Sequence, residues 1–218
     1  MTSAADLKER GIIMTASSVQ SILAGRKTQT RRVANPQPHA GVRENPFGPG
    51  LEDGHGRPIR MPWKVDRLWV REAFTLGMIP PELEGAPQLR RGPVIEERPG
   101  DTPGAFPDWR WAALYDGDED PGGWFTKYAR RSPLFMPRWA SRMTLEVTAL
   151  NLQRLDIITE ADAWAEGVQP RSGSVTRHEH EGRDLYRALW ESIHGPESWN
   201  PDLWVWRIEF KAITPTAA

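Results

Sequence analysis

Residues 16–24 carry apolar side chains at Val19, Ile22 and Leu23, and that three-and-four spacing gives a helix one buried face. Gly25 follows, able to take the left-handed conformation that ends many helices. From Thr28 the helical period is lost and β-branched residues enter, which predicts a strand through Val33. In an extended chain Thr28, Thr30 and Arg32 share one face, and Gln29, Arg31 and Val33 the other. Lys27 and Thr30 lie three apart, so they converge only if Lys27 belongs to the turn.

The later pattern predicts a strand over 67–74 and a short apolar run over 109–115, ahead of an acidic turn at 116–120. Met143, Leu145, Val147 and Ala149 alternate with Arg142, Thr144, Glu146 and Thr148, which predicts a long strand over 141–155 with a bulge or turn near Asn151. Thr159-Glu160-Ala161-Asp162 fits a capping box opening a helix that carries Glu166 and stops at Gly167. A second helix over 183–193 points Leu185, Leu189 and Ile193, with Trp190 beside them, at a core. Residues 203–213 read as a buried closing strand. Pro and Gly punctuate 35–62 and 78–107, which therefore read as long connections. The order strand, helix, strands, two helices, strand reads as an α+β domain around a small barrel, with no repeat and no second core.

A chain of 218 residues is long enough for a full core within one large domain. Its formal charge of -1 offers no global attraction to polyanions, so nucleic-acid contact has to come from local patches. The absence of cysteine excludes disulfides, thiolate nucleophiles and cysteine zinc sites. Residues 1–11 hold no apolar stretch of signal-peptide length and no run approaches membrane-spanning length, from which a cytoplasmic location is expected. His178-Glu179-His180 lacks a third ligand at useful spacing, so neither metal nor cofactor is expected. There is no G-x-S-x-G elbow, phosphate-cradling glycine loop or H-E-x-x-H pair.

Two segments remain as candidate chemistry. Arg26-Lys27-Thr28-Gln29-Thr30-Arg31-Arg32 puts four cations and two hydroxyls where helix gives way to strand. On spacing alone a solvated basic turn is the favoured reading. Residues 127–142 contain Lys127, Arg130, Arg131, Arg138 and Arg142 and no carboxylate, interleaved with Tyr128, Phe135 and Trp139. Such a segment is either a nucleic-acid contact, with rings on bases and cations on phosphates, or core aromatics flanked by a basic surface. Tryptophan use is high, 11 against 6 Phe and 3 Tyr, and packing against helices accounts for Trp69, Trp204 and Trp206 on the expected strands.

The run from Ile22 to Arg32 resembles the signature of the ASCH domain family. Asp66-Arg67-Leu68-Trp69-Val70-Arg71-Glu72-Ala73-Phe74, then Met136-Pro137-Arg138-Trp139-Ala140-Ser141-Arg142, and then Leu203-Trp204-Val205-Trp206-Arg207-Ile208-Glu209-Phe210 resemble further blocks of its larger form, met in phages and prophages. The resemblance implies a PUA-like small β-barrel flanked by helices, as a single domain over 1–218 with loop-rich insertions at about 34–66 and 75–137. Some small bacterial members cleave N4-acetylcytidine with a lysine, a threonine three residues later and a glutamate on a following helix. That pattern implies Lys27, Thr30 and Glu166 as catalytic residues here, the last resting on the looser match.

A threonine hydroxyl is a poor nucleophile until a base takes its proton, and a lysine with a lowered pKa can be that base. Burial and the cations Arg26, Arg31 and Arg32 are expected to lower the pKa of Lys27. Arg26, Arg31, Arg32, Arg130, Arg131, Arg138 and Trp139 are the residues expected to hold a modified nucleoside or single-stranded nucleic acid, and Arg26, Arg31 or Arg138 to meet charge on a carbonyl oxygen. The rival readings are a binding module for RNA or DNA without catalysis, and a ribonuclease.

Overall fold

Gly25, at φ +71°, ends α1 (Ala16–Leu23), which follows β1 (Glu9–Ile13) and buries Val19 and Ile22 of its apolar stripe. The computed structural model describes residues 7–44, 50–79, 90–94, 110–115, 126–170 and 179–213, with main chain alone at 79, 90–94, 110 and 126–129. The expected acidic turn at 116–120, His178, and the side chains of Lys127 and Tyr128 lie outside what is described. The strands that follow are β2 (Gln29–Val33), β3 (Val42–Glu44), β4 (Leu51–Asp53), β5 (Arg67–Arg71), β6 (Phe74–Ile79), β7 (Arg90–Val94), β8 (Arg110–Tyr115), β9 (Thr126–Arg131) and β10 (Thr144–Arg154). The chain then forms α2 (Glu160–Ala165), α3 (Glu181–His194) and β11 (Trp204–Ile213). The architecture is α+β, with more sheet than helix.

Two compact units form. The first draws on Met1–Arg10, Gln20–Arg67 and Leu145–Ala212, and the second on Gly11–Val19, Leu68–Thr144 and Ile213–Ala218. In the first, β11 lies between β10 and β2 and runs antiparallel to β2, with Ile208 opposite Thr30 and Arg207 opposite Arg31. Val205, Trp206, Ile208 and Phe210 of β11 are buried, as expected of a closing strand. The helices pack Ile158, Ala163, Tyr186 and Trp190 with Leu155 and Val205 into one apolar cluster. Trp199 joins it, its ring edge-on to Tyr186 and Trp190. Glu160 ties the two helices together, because its carboxylate accepts the free N–H groups of Gly182 and Arg183 at the start of α3 at 2.6 and 3.1 Å.

The second unit contains an antiparallel sheet in the order β7–β8–β6–β9. Phe74, Ala113, Tyr115, Met136 and Ala140 form its core, with Trp69, Leu76 and Trp139 against them.

Several expected elements differ. The strand foreseen over 67–74 divides at Glu72 and Ala73 into β5 and β6, which join different sheets. The connection foreseen over 35–62 contains the antiparallel β3–β4 pair, and the turn after β4 is shaped by the Asp53 carboxylate, which accepts the main-chain N–H groups of His55 and Arg57 at 2.9 Å each. That foreseen over 78–107 contains β7. β10 is shorter than expected and runs as one strand through Asn151. On α3 the buried positions are Glu181, Gly182, Tyr186 and Trp190; Trp190 and the partly buried Leu189 pack on the core as expected, whereas Ile193 is 50% exposed and Tyr186 takes an inward position not expected of it. The two aromatic rings bury more area than an aliphatic stripe would.

No sheet closes into a barrel among the described residues. In the first unit β2 is an edge strand, and the end of α2 covers the chain leading into it: Thr28 N–H donates to the Ala165 carbonyl, and Lys27 bridges to Glu166. Among the described residues no helix is long and apolar enough to cross a membrane.

Candidate functional site

The turn after α1 folds Lys27 inward. Main-chain N–H groups of Arg26 and Lys27 both donate to the Ser21 carbonyl, at 2.9 and 3.1 Å, so the side chain of Lys27 leaves a tight turn and not the strand. Opposite it, Thr159 caps α2 in a full capping box with Asp162, and Glu166 is the C-cap residue. Gly167, at φ +84°, ends that helix; a Cβ there would lie 2.8 Å from the Cβ atoms of Lys27 and Ser21. Only glycine lets the two segments approach this closely. Gly167→Ala is expected to cost about 1–3 kcal/mol of stability, from the left-handed backbone and the overlap together. Chemical denaturation measures it, and an unchanged midpoint would contradict the close approach.

Lys27 is 4% exposed and Glu166 3% exposed. The Lys27 ammonium donates to Glu166 Oε2 at 2.7 Å and to the Glu166 carbonyl at 2.8 Å. The other oxygen, Glu166 Oε1, accepts from Arg31 Nη1 at 3.0 Å, and Arg31 Nη2 stands 3.3 Å from Asp162 Oδ2. Gln29 donates to Asp162 Oδ1 at 3.1 Å and accepts from Arg207 Nε at 2.9 Å; Arg207 in turn contacts Glu209. The result is a chain of alternating charges from Glu209 inward to Lys27. Tyr186 lies beside it, with the Arg31 guanidinium carbon 5.8 Å from its ring centre.

These contacts set the protonation chemistry. Burial pulls the Lys27 pKa below its usual 10.5; the Glu166 contact acts the other way, and Arg32 and Arg31 add to the lowering. For Asp162, burial acts upward, but hydrogen bonds from Gln29 and Thr159 and the charge of Arg31 hold its carboxyl below the usual value. Burial pushes the Tyr186 phenol well above its usual 10, and the Glu166 charge adds to that.

Of the expected residues, the structure brings Lys27 and Glu166 into contact. Thr30 is 3% exposed on β2, on the strand face opposite Arg31, and its hydroxyl makes no hydrogen bond among the described residues. The Arg31 side chain is fully enclosed, and its Nε and Nη2 atoms have no hydrogen-bond partner among the described residues. Arg32 is half-buried, and its charge acts on Lys27. Arg26 is exposed, against the Gln169 amide. Arg130, Arg131 and Arg138 are exposed in the second unit, and Trp139 is half-buried there. Sequence reasoning missed Tyr186, whose spacing on α3 gave no sign that it faces a charge cluster. It found Asp162 only as a helix cap. Among the described residues no group of three or more His, Asp or Glu side chains is placed to hold a metal ion.

No family model matches the chain, and neither a curated protein nor a solved structure matches it.

Proposed function

We propose that the chain is an ASCH-type, PUA-like protein that hydrolyses the amide of N4-acylated cytidine or a related modified nucleoside through Lys27, Thr30 and Glu166. The observation that carries this reading is the buried Lys27 amine 2.7 Å from Glu166 Oε2, beside a strand that holds a buried threonine with an unused hydroxyl. A lysine serving only as a phosphate contact would be charged and open to solvent; burial favours its neutral form.

In the mechanism, Lys27 in its neutral form accepts the Thr30 hydroxyl proton as Thr30 Oγ1 attacks the acyl carbonyl carbon. The bond from that carbon to the exocyclic nitrogen breaks, and the proton passes from Lys27 through Glu166 to the departing amine. Water attacks the acyl-Thr30 ester next, giving a proton to neutral Lys27, which hands it to Thr30 Oγ1 as the acid leaves. The balance is amide plus water to carboxylic acid plus amine. Arg31 and Asp162 position Glu166 so that one of its oxygens faces Lys27. Incubation with N4-acetylcytidine is expected to release cytidine and acetate in equal amounts. Recovery of the nucleoside unchanged would remove this reading.

A further inference from the structure

The second unit contains a groove of about 390 Å³ lined by Phe74, Leu76, Trp111, Phe135, Pro137 and Trp139, with Arg131 as its cation. That size suits one planar ring system with its substituents. Phe74 and Leu76 alternate along one face of β6, and Arg131 pairs with Phe74 across the β6–β9 ladder, so sheet register puts the guanidinium at the apolar floor.

The walls are built and anchored. Phe135 ends a short 3-10 turn, Pro133–Phe135, and is 73% exposed, far more than a core aromatic. That turn is fixed by Ser132, whose hydroxyl accepts the Leu134 N–H, and by Arg71, which donates to the carbonyls of Pro133 and Leu134. Trp139 lies on a second such turn, Arg138–Ala140, held by Tyr115, whose hydroxyl donates to the Ala140 carbonyl, and by Ser141, which donates to the carbonyls of Val70 and Met143. Presenting a phenyl to water from an anchored turn has no folding benefit, and a preorganised aromatic face is what stacking needs.

Charge selects the partner. Arg130, Arg131 and Arg138 are exposed, and among the described residues no carboxylate lines the groove. The carboxylate of Glu72 is already met by Arg142 in a two-point contact at 2.9 and 3.0 Å. Aromatic walls with a cationic rim fit a base attached to a phosphate backbone.

We infer that this groove binds single-stranded nucleic acid, with one base against Phe135 and Trp139 and backbone phosphates at Arg131 and the exposed Arg138. The probe is a fluorescein-labelled oligouridylate titrated with the full chain at several salt concentrations. Phe135→Ala, which removes an exposed ring and leaves the core intact, is expected to weaken binding about five- to a hundredfold with the salt slope unchanged. Arg131→Ser is expected to flatten the slope of log affinity against log salt by about 0.7. Wild-type affinity in both variants overturns the assignment, as does failure of the wild type to bind the strand. Concentration-dependent dimers lost in Phe135→Ala, without strand binding, would instead reassign the groove to a second copy of the chain. Binding is read without turnover, so a protein that binds the strand but releases no cytidine upholds the groove and removes the deacylase reading.

Discussion

Glu166→Ala is expected to be the most damaging single substitution in the first unit, lowering stability by about 3–5 kcal/mol. The size follows from what is left behind. Lys27 Nζ and Arg31 Nη1 both bind this one carboxylate, so its removal leaves two enclosed cations without their shared counter-charge. Arg31 keeps only the Asp162 contact at 3.3 Å. Lys27→Met provides the contrast: it removes one cation and leaves the Arg31–Glu166 pair intact, so its cost is expected to be clearly smaller. Urea denaturation of both variants measures the difference. Equal midpoints would mean that Glu166 does not join two cations.

Lys27→Arg is expected to lower amide hydrolysis by about a hundred- to ten-thousandfold, the range typical of a lost general base. Arginine preserves the positive charge that Glu166 faces but cannot be deprotonated in a protein. The pH profile carries the sign. Only neutral Lys27 accepts a proton, so the wild-type rate rises with pH up to the lowered Lys27 value and levels above it, whereas the arginine variant lacks that rise. Stability follows the same linkage. The unfolded chain binds this proton more tightly than the folded one, so the Lys27 contribution is fully favourable above the unfolded value of 10.5 and is lost as pH falls through the lowered folded value. A wild-type rate that falls as pH rises through this window would rule out Lys27 as the base.

Local rules made much of this legible in the sequence. The Thr159–Asp162 capping box and the Gly25 turn each depend on residues within a few positions, and both form where the spacing puts them. What escaped depends on distant partners. The helical period of α3 is real, but its phase is chosen by Tyr186 and Trp190 meeting Trp199. The turn after β4 arises from a carboxylate, Asp53, gathering main-chain N–H groups, which no apolar period reports. Arg31 reads as a surface cation in a basic run, yet it is enclosed because Glu166 and Asp162, on the far side of the chain in sequence, supply two carboxylates to it. Strand alternation separated Arg31 from Thr30 correctly but could not show what each face meets.

The most direct test of the proposed chemistry is acid quench of the protein during turnover of N4-acetylcytidine, followed by mass spectrometry of the Thr30 peptide. An acetyl group on Thr30, formed and lost as cytidine appears and absent in Thr30→Ala together with cytidine release, is the predicted result. Cytidine released by Thr30→Ala at the wild-type rate would contradict it.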